Sequence, residues 1–150
     1  METTLHRLLN FHIWAMTRLF DQLDALSSIP PTALKLMQHI VNAESIWMSR
    51  VVAEQQVVGV WETLPLSDCR SLHQRSIQKL QTLLETENHH LDQMISYVNT
   101  SGDAFTDGVH DIIIHLFNHS TYHRAQIAKE LRLNGIDPIN TDYITFVRTK

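Results

Sequence analysis

The segment DIIIHLFNHSTYHRAQIAKELRL, residues 111–133, decides how the rest of the chain is interpreted. His115, His119 and His123 follow one another in it at steps of four. An α-helix turns once in about 3.6 residues, so residues four apart lie on one face and two such imidazoles can bind one metal ion. His115 and His123 would lie about 12 Å apart along the axis, too far for one ion, so His119 belongs to any helical pair. Apolar side chains share this face and direct the pair towards a core: Ile112, Leu116, Ile127 and Leu131.

The composition predicts one globular domain, residues 1–150. Hydrophobic residues make up 43% and charged residues 19%, and the scarcity of Gly and Pro disfavours a loop-rich β fold. A net charge of −4 without a Lys/Arg cluster argues against nucleic-acid binding. We find no signal-peptide pattern and no apolar run long enough to cross a membrane. Cys69 is the single cysteine, so no intrachain disulfide can form and a cytoplasmic location is expected.

Apolar residues at three- and four-residue steps predict a chain of long helices. These run from Thr3 or Thr4 to Leu26, from Thr32 to Gln55, from Ser67 or Asp68 to Thr86, and from Thr106 or Asp107 to the C′ residue Gly135. The connection 56–66 carries an exposed Trp61 and a short extended piece at 57–60, and residues 94–108 suggest a hairpin. Thr141 would cap a last short helix over DYITFVR. The predicted fold is all-α: an antiparallel four-helix bundle with a short extended excursion before the last long helix and a short C-terminal helical segment.

A catalytic metal site needs at least one ligand besides the helical pair. His39 lies on the apolar face of the second predicted helix and is the strongest candidate, while His12, between Phe11 and Ile13, is a weaker one. The other histidines look polar or terminal: His6, His73, His89, His90 and His110. The alternative is that the core-facing histidines are hydrogen-bonded structural residues, since H-x₃-H also occurs by chance.

Three histidines without cysteine would favour an open catalytic metal site over a closed structural one. Structural zinc normally takes four protein ligands, whereas three ligands leave a position for water or substrate. The ion could then act as a Lewis acid or lower the pKa of a bound water or thiol. Zinc and nickel are favoured and iron and manganese are compatible, since imidazole selects among them only weakly.

Three charged residues near the expected ligands are candidates for catalysis or substrate binding: Glu44, Arg124 and Glu130. Each position is equally compatible with a solvated or packing role on its helix. Cys69 starts a predicted helix, where the dipole could lower the pKa of a thiol. Since Arg70 is its sole basic neighbour in the sequence, we expect an ordinary cysteine.

Four segments together resemble the DinB family, in order and over nearly the whole chain: FHIWAMTRLFDQL (11–23), MQHIVNAESIWMSRV (37–51), HLFNHSTYHRAQIAKELRLNGIDP (115–138) and DYITFVR (142–148). The resemblance implies a four-helix bundle, frequently dimeric, with a three-histidine metal site. It places the ligands at His39, His119 and His123 and makes His115 a common neighbour that is not a usual ligand. Ala125 stands where the family often has Gly, and because Ala is the better helix former this departure leaves the ligands in place.

The resemblance also implies a function. Some relatives are thiol-dependent transferases or isomerases and others are hydrolase-like. We therefore expect a metal-dependent enzyme that activates a low-molecular-weight thiol or water against a small electrophilic substrate. The alternative is a non-catalytic metal-binding or damage-response accessory protein. The expected partners are a second copy of the chain and a small molecule, with no nucleic acid and no membrane.

Overall fold

The computed structural model describes residues 2–86 and 90–149. Its elements are α1 (Thr4–Asp24), α2 (Pro31–Val51), α3 (Leu66–Glu85), β1 (Met94–Val98), β2 (Ala104–Gly108), α4 (Val109–Leu133) and α5 (Tyr143–Arg148). The mostly helical fold, the extended excursion before the last long helix and the short C-terminal helix are as predicted. The extended piece predicted at 57–60 is wrong, because the carbonyls of Val58 and Val60 accept side-chain hydrogen bonds instead of pairing with a strand.

Two core clusters show the directions in which α1 to α4 run. The first contains Phe20 of α1, Met37 of α2, Cys69 of α3 and Ile127 of α4. The second contains Leu9, Met48, Leu80 and Ile113 from the same helices in the same order. Helices α1 and α4 therefore run from the second cluster to the first, whereas α2 and α3 run from the first to the second. Since α2 and α3 run in the same direction, the prediction of an antiparallel arrangement is wrong for this pair, and the connection 52–65 carries the chain back between them.

Helix starts depend less on side-chain caps than the sequence suggested. Thr3 caps α1 as predicted, because its Oγ1 accepts a hydrogen bond from the His6 amide at 3.3 Å. Three other predicted caps are wrong. The third helix starts after Pro65, so Ser67 and Asp68 already lie in its first turn; Thr106 and Asp107 belong to β2; and Thr141 precedes the N-cap residue Asp142 of α5. A proline thus precedes the start of α3, and strand β2 precedes the start of α4.

The hairpin explains why α4 lacks the predicted cap. Strands β1 and β2 pair antiparallel, with Met94 opposite Gly108 and Val98 opposite Ala104. The Asp107 carboxylate accepts a hydrogen bond from the Tyr97 hydroxyl at 2.5 Å, so it is not available to the helix. The hairpin leads directly into α4 at its N-cap residue Gly108.

Helix α4 ends in a Schellman motif, and Gly135 is its C′ residue, as predicted from the sequence. Gly135 has φ +74°, which an L side chain rarely adopts. Its amide donates to the Arg132 carbonyl at 3.0 Å, and the Ile136 amide donates to the Leu131 carbonyl at 2.9 Å. Ile136 also packs against the core cluster that contains Leu131, so the chain turns sharply and returns along the helices.

None of the helices in the described part of the chain has the length and apolar character that a membrane crossing requires.

Candidate metal centre

Three imidazole nitrogens converge between α2 and α4. The Nε2 atom of His119 lies 3.1 Å from Nε2 of His39 and 3.1 Å from Nε2 of His123. His119 and His123 share one face of α4 at adjacent turns, and His39 reaches them from α2 because these two helices pack against each other along the core. The structure thus brings together the three histidines that the sequence singled out.

Hydrogen bonds at the outer ring nitrogens fix the tautomers of two of these histidines. Nδ1–H of His39 donates to the Val60 carbonyl at 3.3 Å, and Nδ1–H of His123 donates to Oε1 of Gln126 at 2.7 Å. Each neutral ring therefore directs an Nε2 lone pair towards His119. A proton on Nε2 of His119 could serve only one of these two lone pairs, so protein hydrogen bonds alone leave the cluster unsatisfied.

A single divalent cation would accept all three lone pairs. Metal–nitrogen bonds of about 2.0–2.1 Å at tetrahedral or octahedral angles separate neighbouring ligand atoms by about 2.8–3.4 Å. The observed separations of 3.1 Å fall in this range, and all three ligand atoms lie within 4.8 Å of one another. An acceptor on the far nitrogen of a ligating histidine is also the usual arrangement in metal sites. The residues fit a metal ion.

The electrostatic environment keeps the imidazoles of His119 and His39 unprotonated. Burial, together with the neighbouring His123 and His39, lowers the pKa of His119 from 6.5 to about 4. Burial also lowers the pKa of His39, although its hydrogen bond to the Val60 carbonyl opposes the shift. Neutral imidazole is the form that binds metals, and the fold holds these two rings in that form at neutral pH.

The connection between α2 and α3 covers one side of the cluster. Trp61 stacks on the His39 ring with the centroids 3.9 Å apart and the planes 12° from parallel. Asn42 holds this connection by donating to the Glu62 carbonyl at 3.0 Å, and Gln38 donates to the Leu64 carbonyl at 2.8 Å. His39 is buried, but His119 and His123 are half-buried, so the α4 side of the cluster remains accessible to solvent.

His115, the first histidine of the α4 series, lies outside the converging set. Its ring centroid is 5.6 Å from that of His119 and 5.4 Å from that of Trp47, and its side chain is exposed. This position agrees with the expectation that His115 is a neighbour and not a ligand.

A second cluster joins His12 of α1, Glu44 of α2 and His73 of α3. The Glu44 carboxylate accepts from Nε2–H of His12 at 3.1 Å and from Nδ1–H of His73 at 2.8 Å. All three side chains are buried. Burial alone would raise the pKa of the Glu44 carboxyl, yet the charges and hydrogen bonds of His73 and His12 hold it well below its usual range. Ligand atoms of these residues also lie within 4.8 Å of one another, but here the carboxylate already accepts from one N–H group of each imidazole.

The sequence did not reveal this second cluster. His73 looked polar, and Glu44 was considered for a solvated or near-metal role. The helical spacing contained a signal, since His73 follows Cys69 by four residues and precedes Ile77 by four, and both of these are buried. The contact of Trp61 with His39 was also missed, and no periodicity could have revealed it because Trp61 lies in an irregular connection.

The remaining candidates make no hydrogen bond to the imidazole cluster among the described residues. Arg124 is buried and donates to the hydroxyls of Ser120 and Thr121, and the Glu130 carboxylate has no hydrogen bond or ion pair within the described ranges. Burial and the nearby Asp68 raise the pKa of the Cys69 thiol to about 11, so it stays protonated, as expected of an ordinary cysteine. His6 and His110 lie at exposed or partly exposed positions and His90 is exposed, whereas His89 lies outside the described residues.

Comparison with known proteins supports the resemblance seen in the sequence. The chain matches the model of the DinB family over residues 1–150. It is also similar to Protein DinB of Bacillus subtilis (strain 168), with 21% identity over an alignment that covers 91% of this chain and 90% of that protein. The matched range includes both helices that carry the imidazole cluster. The name of this relative states no activity.

Proposed function

Since the chain belongs to the DinB family, we propose that it binds a divalent metal ion through His39, His119 and His123. The observation that carries this proposal is the convergence of the Nε2 atoms of His39 and His123 on that of His119, each at 3.1 Å, with the outer nitrogens of His39 and His123 engaged as donors. Zinc or nickel fits a three-imidazole set, and iron or manganese is compatible with it.

We propose further that the site belongs to a metal-dependent enzyme of the thiol S-transferase or hydrolase type. A divalent ion held there would lower the pKa of a bound low-molecular-weight thiol or water and so supply a nucleophile near neutral pH. Three protein ligands leave room for such a molecule. The α4 side supplies the access route, because His119 and His123 are half-buried there.

The surrounding residues have definable tasks in this proposal. Val60 and Gln126 orient two ligand rings through their Nδ1–H groups. Trp61 excludes water from one face of His39. Glu130 stays a candidate for contact with substrate, whereas Arg124 packs on Phe11 of α1 and the Glu44 carboxylate is occupied by two imidazoles.

The metal assignment is tested by elemental analysis of the purified protein. We expect one ion per chain in the wild type, and its loss in His39→Ala and His119→Ala. His110→Ala is the matched control, since His110 is exposed at the start of α4. If the first two variants retain stoichiometric metal, the assignment is wrong and the histidines have a structural role.

The proposed activity is tested by mixing metal-loaded protein with a low-molecular-weight thiol and an aryl chloride electrophile. The thiolate sulfur forms the new carbon–sulfur bond, chloride leaves with the electron pair of the broken bond, and the thiol proton goes to buffer. We expect a rate that is lost after chelation and in His119→Ala. A protein that binds metal but accelerates neither this transfer nor ester hydrolysis would support the non-catalytic alternative.

We also propose that the chain is one domain, that its long helices form a bundle, and that it acts as a cytoplasmic homodimer on a small molecule. The dimer is expected from the family. Light scattering of the purified protein tests it, and a monomeric mass at micromolar concentration would contradict it. A stable dimer should bury at least about 1,000 Å².

A further inference from the structure

A buried arginine lacks a carboxylate partner. Arg124 is 4% exposed, and its guanidinium donates to the hydroxyls of Ser120 at 2.8 Å and Thr121 at 3.1 Å. Its Nε–H is buried and has no hydrogen-bond acceptor, and no carboxylate of residues 2–86 or 90–149 lies within 4.0 Å of the guanidinium. The guanidinium lies over the Phe11 ring, 5.3 Å from its centroid. A buried cation with neutral partners is costly unless an anion is supplied.

The other charged groups of the core do not supply the missing carboxylate partner of Arg124. Glu44 is the carboxylate whose charge acts on Arg124, but both of its oxygens accept from His12 and His73. Arginine keeps its proton at neutral pH, so this side chain is a cation there. The guanidinium therefore keeps donor capacity that the protein itself does not use.

Arg124 lines a cavity of about 380 Å³ between α4, Phe11 of α1 and the segment 138–143. This volume is within the range of small-molecule sites. Arg132, two turns along α4, lies on the same wall, and the opposite wall carries Asn140 and Tyr143. Oδ1 of Asn140 accepts from the Asp142 amide and the Thr145 hydroxyl, which leaves its amide group as a donor. Two arginines and the carboxylate of Asp142 give the walls a net charge of +1 (2 − 1).

We propose that this cavity binds the anionic group of a small molecule, a carboxylate or a phosphate ester, between Arg124 and Arg132. A guanidinium matches both groups through paired N–H donors. The site is separate from the imidazole cluster: Arg124 packs against α1, whereas His119 and His123 meet His39 of α2. The proposal therefore does not depend on metal binding.

The test is calorimetric titration of the full chain with inorganic phosphate and with succinate, at constant ionic strength against chloride. It is done on the purified protein before and after chelation, because an anion could also bind to an ion at the imidazole cluster. We expect saturable binding that survives chelation. The anion that binds more tightly identifies the preferred group. If neither anion binds saturably, the proposal is wrong.

Variants assign the binding to this cavity. Arg132 is exposed, so Arg132→Gln should fold normally and weaken binding about two- to fivefold. Asp142→Asn should strengthen binding by a similar factor, because it removes the opposing charge. Arg75→Gln on α3 is the matched control, since it removes an exposed arginine elsewhere and should change nothing. Equal affinities in wild type, Arg132→Gln and Asp142→Asn would overturn the assignment.

The buried arginine is tested by Arg124→Lys, which keeps the charge but loses the paired donors. We expect binding to weaken at least about tenfold, with a melting curve that shows a folded protein. Unchanged affinity in this variant would show that Arg124 does not contact the anion. Metal content measured in the same samples distinguishes failure of this proposal from failure of the metal assignment.

Discussion

Two clusters of three side chains, each rich in histidine, lie in the same helical core. They differ in whether the hydrogen-bond acceptor of the imidazoles lies outside the cluster or within it. In the cluster of His39, His119 and His123, the acceptors are the Val60 carbonyl and the Gln126 side chain, outside the set. In the second cluster, the acceptor is the Glu44 carboxylate, which lies between the two imidazoles.

The position of the acceptor decides which end of each ring faces inward. An outside acceptor takes the Nδ1 proton and turns the Nε2 lone pair into the cluster, which is the arrangement that a metal needs. A carboxylate inside the cluster draws the N–H groups inward, and hydrogen bonds then fill the place that a metal ion would take. Nearness of histidine and carboxylate side chains is therefore not sufficient evidence of a metal site.

Of the variants that test this contrast between the two clusters, Glu44→Ala should have the largest effect on stability. It leaves two buried N–H groups without an acceptor and removes the charge that acts on Arg124, so the free energy of unfolding should fall by about 3–5 kcal/mol. Urea unfolding of metal-free protein measures this loss. The exposed Glu62→Ala is the control and should cost less than about 0.5 kcal/mol. A loss below about 1 kcal/mol in Glu44→Ala would contradict the structural role of the buried cluster.

A metal ion should stabilise one cluster and not the other. At a free metal concentration of 100 times Kd, binding adds about 2.7 kcal/mol to the free energy of unfolding. This gain should disappear in His119→Ala, which disrupts the cluster of three histidines. It should persist in His73→Gln, which disrupts the cluster around Glu44. A second ion per chain that is lost in His73→Gln would break the contrast, because the buried cluster would then bind metal as well.

Acid should affect the two clusters in different pH ranges. The pKa of His119 is lowered from 6.5 to about 4, so the unfolded chain binds its proton first. The stability of metal-free protein should fall as the pH drops from about 6.5 to 4, by at most about 2 kcal/mol after allowance for solvent screening. The lowered pKa of Glu44 acts in the same sense at lower pH, because its contribution is complete above pH 4.5 and is lost as the pH falls further.

The check for this prediction is urea unfolding at several pH values with wild type and His119→Gln. The glutamine variant should lose less stability over this range, and the difference between the two proteins isolates His119 from the buried His12, whose pKa is lowered as well. Parallel pH profiles would show that His119 is not held neutral by the fold.

The smallest effect concerns the outside acceptor itself. Gln126→Ala removes the oxygen that fixes the tautomer of His123, and metal affinity should fall about tenfold. Alanine is a good helix former, so the stability of the metal-free protein should be almost unchanged. Competition with a chromophoric chelator measures the affinity, and Gln78→Ala on α3 is the control. An unchanged metal affinity would mean that the hydrogen bond to Gln126 does not set the orientation of the His123 ring for metal binding.

The sequence was sufficient to single out the three converging histidines because helical spacing is local. His119 and His123 are four residues apart, and His39 lies on an apolar helix face, so each could be placed without knowing the packing. The direction of α3 was not accessible in this way. It depends on the connection 52–65, whose course is set by side chains of α2 such as Asn42 and Gln38.

Side-chain competition explains the errors at helix starts. Aspartate is a typical N-cap residue, but the carboxylate of Asp107 accepts a hydrogen bond from the Tyr97 hydroxyl across the hairpin. Local propensity could not anticipate a partner ten residues away. His73 was missed for a related reason, since its burial depends on Glu44 of another helix.

The stacking of Trp61 on His39 gives the protein a built-in optical reporter. The indole is 53% exposed and lies 3.9 Å from a proposed ligand ring, so its fluorescence should respond when that imidazole takes up a cation. Trp14 and Trp47 make no ring contact with the three converging histidines and would contribute a steady background. Occupancy of the centre could then be followed in unlabelled protein, and Trp61→Phe would remove the signal while keeping an aromatic ring over His39.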